Sequence, residues 1–420
     1  MQNKSQAEEH LLPEHFFRTE YGRIVAFLTR YVGIGNIADA EDIAQETFLK
    51  AVEHWTHNSL PPNPQAWLYT TAKNLMLNAL KRKKYLADYV GQYPEDHQLE
   101  KGVEFSDDLI QDEQLKMMFA CCTDSISEQQ QCALILKVLC GFSIAEIAAA
   151  FLTSKETINK RLVRARGTLK DDARNFKLPL KVGPSVRIVL RTIYLLFNEG
   201  YKSSGNNMFI RRELCLEAIR LAQLLTGNKH VKRKSEPHAL LALMFLNVSR
   251  FDARQNEVGE IIEMKEQDRS LWNMDLINEG LRHLTCASSE QEVSTYLLLA
   301  AISANYCTAA TFEETNWQEI LELYDRLLQL ENSPLVLLNR AVVVSRVHGV
   351  GSAIAELRKL EANAAIANNY LFHSTMGELF LQEEDRPSAV VSFKKAISLA
   401  PKNPELDVLQ KKLRQIVPVC

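Results

Sequence analysis

Apolar residues in this chain recur at steps of three and four, segment after segment, and strand-like alternation is missing. A period of three to four places one greasy stripe on each helix, so the chain must bury helices against helices. The breakers agree: Gly 16 and Pro 13 are few for 420 residues and fall between the periodic segments. The expected fold class is all-α. At 420 residues the chain exceeds the usual domain size of about 100–200 residues, so several domains are expected. A hydrophobic share of 46% with 24% charged residues excludes wholesale disorder. A net charge of −3 excludes a uniformly basic nucleic-acid binder while leaving room for local basic patches. The eight cysteines form no CxxC pair, and only Cys121 and Cys122 are adjacent. They read as buried free thiols in a reducing compartment. The N-terminus lacks an apolar run behind a basic start, and no stretch of 18 apolar residues exists, so neither a signal peptide nor a membrane span is expected. The expected location is cytoplasmic.

Composition divides the chain. Residues 1–90 carry helical patterns and end in a basic cluster; 91–106 are polar and acidic, with Gly91, Pro94 and Gly102, and read as a linker. A second helical region occupies 107–174. The prolines of LPLKVGP follow, and from 185 to 420 the chain is helical and leucine-rich. Within that stretch, about 334–401, Gly377, Phe380, Ala389, Phe393, Ala396 and Pro401 have tetratricopeptide (TPR) spacing. Ala341, Val344, Ala353, Leu357 and Leu360 repeat it upstream with weaker residues, and a third copy is expected to end in WQEILELYDRLLQLENSP.

In ADAEDIAQETFLKAVEHW, the residues Ala40, Ile43, Ala44, Phe48, Ala51, Val52 and Trp55 make one stripe. Asp39 is placed to cap the helix. Glu41, Asp42, Gln45, Glu46, Lys50 and Glu53 take the polar side, a solvated face or an acidic docking surface for a basic partner. After LPPNP, Asn63 is placed to cap a second helix with Pro64 in its first turn. Its buried stripe is Leu68, Ala72, Leu75, Met76 and Ala79. The other side carries Trp67, Thr71, Asn74, Asn78 and Lys81 or Arg82, ending in the run Lys81–Lys84, which is either a solvated helix end that suits the dipole or part of a nucleic-acid face. Amides hydrogen-bond base edges, aromatics stack on unpaired bases and cations neutralise phosphates.

The third pattern is a helix-turn-helix. A helix opening at Ser125 or Ser127 buries Ala133, Leu134, Leu136 and Val138 and ends at Gly141. Ser143 and Glu146 form a capping box on the next helix, whose stripe is Ile144, Ile147, Ala148 and Phe151. Leu152 and Thr153 make the turn, and Ser154 caps a last helix burying Ile158, Leu162, Ala165 and Leu169. Its opposite face holds Lys155, Thr157, Lys160, Arg161 and Arg164, flanked by Arg166 and Lys170. A capped short helix, a tight turn and a basic helix place side chains in a major groove.

Taken in order, ADAEDIAQETFLKAVEHW, PQAWLYTTAKNLMLNALKRK and FSIAEIAAAFLTSKETINKRLVRARGTL resemble regions 2, 2 and 4 of bacterial extracytoplasmic-function (ECF) sigma factors. QLKMMFACC, YLLFNEGY, QDRSLW and LNRAVVVS look like the subfamily with a long TPR-like C-terminal extension. The resemblance implies a region 2 bundle, a region 4 helix-turn-helix and a TPR-like array. It implies that Asp39, Glu41, Asp42, Gln45 and Glu46 dock on the β′ clamp helices of core RNA polymerase, with region 4 on the β flap. It assigns the −10 element to Trp67, Thr71, Asn74, Asn78 and Lys81, and the −35 element to Lys155, Thr157, Asn159, Lys160, Arg161 and Arg164. Relatives often carry His after the paired cysteines, but Thr123 stands here, so Cys121 and Cys122 read as packing residues. No phosphate loop, HExxH or Ser/His/Asp set is found, and His54 and His57 lack a carboxylate at ligand spacing, so no enzyme activity, metal or cofactor is expected. The expected function is promoter-specific initiation with core polymerase and promoter DNA as partners. The extension is expected to regulate it through a protein partner or the chain's own sigma domains. The alternative is a DNA-binding regulator with a TPR interaction module.

Overall fold

The stripes become helices in the computed structural model, which describes residues 14–90, 107–151, 153–172, 183–201, 210–228, 231–256, 261–290, 292–331, 333–361, 364–400 and 404–416. The expected linker at 91–106, Leu152, residues 178–182, Pro401 and the side chains of Lys83 and Lys84 lie outside the described residues. Among the described residues there is no strand, only an isolated bridge between Gln255 and Ile261. The fold is all-α. No described helix is long and apolar enough to cross a membrane.

By packing, the chain forms two units: 1–196 with 216–232, and 197–215 with 233–420. This division does not follow the composition boundary at 185. The start of the extension belongs with the two N-terminal helical regions.

The first unit contains α1 (Glu14–Val32), α2 (Ile37–His57), α3 (Pro64–Val90), α4 (Asp107–Ala120), α5 (Glu128–Val138), α6 (Ile144–Ala150) and α7 (Lys155–Asp172). To these it adds residues 183–196 of α8 (Gly183–Tyr201) and 216–227 of α9 (Arg212–Gly227). Ile24, Val25, Phe27 and Leu28 of α1 are sealed against Ala40 and Ala44 of α2 and Leu68, Ala72 and Met76 of α3. Burying a large aliphatic or aromatic side chain stabilises a fold by roughly 1.5–3 kcal/mol. The extension is tied in by polar contacts: Arg191 of α8 donates to Glu128 at 2.6 Å, and Arg220 of α9 to Gln114 of α4 at 3.1 Å.

The second unit strings hairpins together: α10 (Ser235–Val248), α11 (Met274–Ser288), α12 (Thr295–Thr308), α13 (Trp317–Leu330), α14 (Pro334–His348), α15 (Val350–Leu360), α16 (Ala364–Ala367), α17 (Tyr370–Gln382), α18 (Arg386–Leu399) and α19 (Pro404–Ile416). The repeat residues do what their spacing requires. Ala341, Val344, Ala353 and Leu357 are buried between α14 and α15. Gly377 lets α17 cross Phe393 of α18 so closely that a Cβ there would sit 2.9 Å from the ring. Asn273, Ser294, Asn316, Ser333, Asn369 and Asp385 cap six of these helices through their side chains.

A close titratable pair sits in this unit, His283 buried and His238 half-buried. His283 of α11 stacks on Phe245, and its Nδ1 lies 2.7 Å from Nδ1 of His238. Burial first, then the charges of Arg282 and His238, push His283 down to about 4, with Glu279 opposing. A group lowered from an ordinary 6.5 contributes stability that is complete above pH 6.5 and lost as pH falls toward 4. The loss amounts to at most about 3 kcal/mol. His283→Gln should therefore flatten the fall in urea midpoint between pH 7 and pH 4.5; an unchanged slope would place the titration elsewhere.

Candidate polymerase and nucleic-acid interface

The acidic residues of α2 do not share one environment. Asp42, Gln45 and Glu46 are exposed, and Glu46 pairs with Lys50 one turn on at 3.6 Å. Asp39 is half-buried in the first turn; the cap position is Asn36, not Asp39 as the sequence pattern had placed it. Glu41 departs most from expectation. Read from the pattern it belongs to the open polar face, but it is 3% exposed. Arg166 of α7 donates to its Oε2 at 2.6 Å, and the Tyr21 hydroxyl to its Oε1 at 3.5 Å. Burial raises Glu41 above the ordinary carboxylate value, and the nearby charges of Arg166 and Lys137 only partly offset it. Burial, and secondarily the Glu41 charge, likewise raise Tyr21.

The apolar stripe is corrected at the other end of α2. Val52 is 54% exposed rather than buried, as is its neighbour Leu49 at 65%. With Phe17 and Phe48 they line a shallow groove of about 520 Å³ beside Gln45. The reason is register: α1 covers the Ala40–Ala44–Ala51 edge, and Thr47 closes it with its hydroxyl on the Ile43 carbonyl at 2.8 Å.

On α3 the expected line is present. Asn63 Oδ1 accepts from the Ala66 amide at 2.9 Å, fixing the helix start. Asn74, Asn78 and Lys81 are exposed and Thr71 half-buried along one side. Trp67 heads the line, half-buried against Trp55 and His54 with ring centroids 5.4 Å from each. His54, itself exposed, lies at the edge of that cluster. Behind the line, Tyr69 donates to the buried Glu20 at 2.9 Å.

The helix-turn-helix closes as its caps dictate. Ser127 and Gln130 form a capping box on α5. On α6, the Ser143 amide donates to Glu146 at 2.7 Å and the Glu146 amide to Ser143 Oγ at 3.2 Å. Ser154 accepts from the Thr157 amide at 3.2 Å. Ile158, Leu162, Ala165 and Leu169 are all buried. That leaves Lys155, Asn159, Lys160 and Arg164 exposed. Thr157 and Arg161 are half-buried: Thr157 joins the cap, and Arg161 donates to Gln129 of α5 at 2.6 Å while lying over the Phe151 ring. Cys121 is buried, which pushes its thiol up to about 12, and Cys122 donates to the Met118 carbonyl at 3.3 Å. Among the described residues no three His, Cys, Asp or Glu gather in a way that could hold a metal.

These helices meet directly within the first unit. Arg18 of α1 donates to Glu146 of α6 at 3.1 Å and stacks over Phe142. Gly22 of α1 approaches the end of α5 so closely that a Cβ would lie 1.9 Å from the Leu139 carbonyl oxygen. The sequence pattern singled out neither Arg18 nor Gly22, and it gave Arg166 only a flanking position. A lone Gly inside a helical stripe was the available signal.

Comparison with known families decides what this arrangement is. Residues 16–85 match sigma-70 region 2 and residues 116–169 match sigma-70 region 4. An uncharacterized protein of Rhizobium meliloti (strain 1021) is 32% identical over 87% of both chains. The ECF RNA polymerase sigma factor EcfG of Rhodopseudomonas palustris (strain TIE-1) is 31% identical, covering 32% of this chain and 71% of its own. The chain belongs to the ECF sigma factors with a long C-terminal extension. The ECF sigma factor SigE of Mycolicibacterium smegmatis adds 28% identity over 33% of this chain and 52% of its own. In this sigma factor, the region 2 match spans α1 to α3 and the region 4 match runs from the end of α4 to α7. A family of unknown function matches 186–288, the first part of the extension. No solved structure matches the chain. As a sigma factor the protein binds core RNA polymerase and promoter DNA and directs transcription initiation.

The close approach at Gly22 yields a test. Gly22→Ala forces backbone apart where no flexible side chain can give way, which costs at least about 1–3 kcal/mol. Amide hydrogen exchange at 136–142 and across the first turns of α2 should speed up tenfold or more, while α13 to α15 stay unchanged. Unaltered exchange at both places would mean that regions 2 and 4 are not held together by this crossing.

Proposed function

We propose that Asp42, Gln45 and Glu46, with Asp39, form the part of α2 that meets the β′ clamp helices, extended by the apolar groove at Leu49 and Val52. Glu41 joins them only when Arg166 lets go. Trp67, Thr71, Asn74, Asn78 and Lys81 read the melted −10 element: Trp67 is pre-ordered for stacking, and the two amides stand free to bond base edges. Lys155, Asn159, Lys160 and Arg164 address the −35 element, with Thr157 and Arg161 completing the set after Arg161 releases Gln129. Region 4 also meets the β flap. The extension regulates these steps, and the protein works in the cytoplasm. One observation carries the reading: an exposed acidic and apolar face on α2 stands on the same chain as an exposed basic recognition helix behind two capped turns.

Run-off transcription with purified core polymerase tests it, with and without this chain. Asp42→Lys with Glu46→Lys should weaken core binding about tenfold to a hundredfold, since like charges then face the partner. Circular dichroism should be unchanged because both side chains face solvent. Parent-like core binding by the double variant would refute the docking assignment.

Base reading and phosphate contact separate in region 4. Arg164→Ala should cost about 1–3 kcal/mol on the preferred promoter and relax preference at one upstream position. Lys155→Ala should weaken all promoters alike and lower the salt slope by about one. Equal losses on every promoter from the arginine change would remove Arg164 from base recognition.

A further inference from the structure

The first helix of the extension carries an arginine edge. On α8 the residues Val186, Val189, Leu190, Ile193 and Leu196 are buried, at helical steps along one side. The other side is left to solvent, and it presents Arg187 and Arg191, four positions apart and both exposed. Side chains at that spacing stand one turn above each other, so the two guanidinium groups share one edge of the helix. The buried stripe fixes which way that edge faces. Neither arginine has a part in the polymerase and promoter contacts described above.

The start of α5 ties that edge to the recognition helix. Glu128 and Gln129 are consecutive residues in its first turn. Gln129 accepts from Arg161 of α7 at 2.6 Å, and Glu128 accepts from Arg191 of α8 at 2.6 Å. One turn on, Cys132 of α5 is hydrogen-bonded to the buried Thr192 of α8. Two neighbouring residues thus hold one arginine from the helix that faces DNA and one from the extension. The arginine edge of α8 adjoins the basic side of α7 across the start of α5. The Arg191–Glu128 pair is open to water, with side chains 52% and 41% exposed. An ion pair so exposed gains little over hydration and is screened by salt, so a phosphate can take the place of the carboxylate on Arg191. The guanidinium fork bonds two phosphate oxygens at once. Phosphates recur about every 3.4 Å of axis along each strand of a duplex, so a cation row one helix away from α7 has phosphates to meet.

We propose that α8 is a further DNA-contacting element, in which Arg187 and Arg191 grip the promoter backbone beside the segment addressed by α7. These contacts go to phosphates, so they position and strengthen the complex without reading sequence. The proposal rests on the reading of α7 as the −35 helix and adds to it the first helix of the extension. The occupant is duplex DNA because the edge is continuous with α7, and a duplex seated on α7 runs past the start of α5. With a net charge of −3 over the whole chain, such local cations decide where a polyanion can lie. The segment 186–288, matched only to a family of unknown function, thereby acquires a part in promoter binding.

Fluorescence anisotropy of the holoenzyme, the full-length chain with core polymerase, tests it on duplex promoter fragments recovered by run-off transcription, over a range of salt concentrations. Arg187→Ala with Arg191→Ala should weaken binding to every promoter alike and leave base preference unchanged. It should lower the slope of log affinity against log salt by about two, close to one per phosphate contact. Arg326→Ala, at an exposed arginine of α13, should leave the slope as it is. Glu128→Gln frees Arg191 for phosphate and should hold or tighten binding, whereas a purely structural pair would lose as much affinity from Glu128→Gln as from Arg191→Ala. An unchanged slope in the double arginine variant overturns the proposal, and so does an equal loss from Glu128→Gln and Arg191→Ala. Lys155→Ala, run alongside, separates the two readings. If it lowers the slope while the double variant does not, α7 keeps its role and only the assignment of α8 falls; if neither lowers it, both fall.

Discussion

The backbone contact of Gly22 with the Leu139 carbonyl sets the geometry of the sigma half. Only a residue without Cβ lets α1 reach the end of α5, and everything that joins region 2 to region 4 follows from that crossing. Arg18 comes within reach of Glu146, and α7 is turned so that Arg166 reaches Glu41. The recognition helix thus has two committed sides: Ile158, Leu162, Ala165 and Leu169 on its own core, and Arg166 on α2. The remaining side, with Lys155, Asn159, Lys160 and Arg164, is what stays open for DNA.

How much of this the chain discloses depends on the range of the interaction. Local features were legible. The caps at Asn63, Ser143 and Ser154 and the buried stripe of α7 are set within four residues, and the structure has them where the pattern puts them. Glu41 and Val52 were not legible. A polar residue on a polar face gives no sign that a helix more than a hundred positions later will cover it. Nor does an apolar residue announce that α1 will cover the Ala40–Ala44–Ala51 edge and leave it on the open side. The same limit applies to Arg250. As one arginine in a leucine-rich run it is unremarkable, and only the fold buries it beside Trp272 and the Tyr201 hydroxyl.

The extension makes its crossings with small residues, and this too was partly readable. Gly377 beside Phe393, and the alanines of α14 and α15, are short-range repeats that spacing exposes. The segment between α10 and α11 has no such period. It is held instead by Arg269, which donates to the Tyr306 and Ala309 carbonyls at 2.9 and 2.7 Å and stacks on Trp272 at 4.4 Å. Side chains bonding distant carbonyls leave no periodic trace, so QDRSLW stands out only by its resemblance to relatives and by what it touches.

The contact at Glu41 is weaker than its 2.6 Å length suggests, and magnitudes decide why. Glu41 is 4% exposed at its side chain, whereas Arg166 is 30% exposed. The carboxylate therefore bears most of its desolvation cost, while water reaching Arg166 screens the attraction that should compensate it. The raised Glu41 value reports the same balance. A group raised in the folded form contributes stability that is complete below its ordinary value and lost as pH rises through the folded one. At neutral pH, then, Glu41 opposes its own burial, and the pair is worth no more than the about 0–1 kcal/mol of a partly exposed ion pair. What keeps region 4 on region 2 is the close packing around Gly22 and Leu139. Freeing the docking face of α2 for polymerase costs mainly that packing, and the release of Glu41 to water returns part of it.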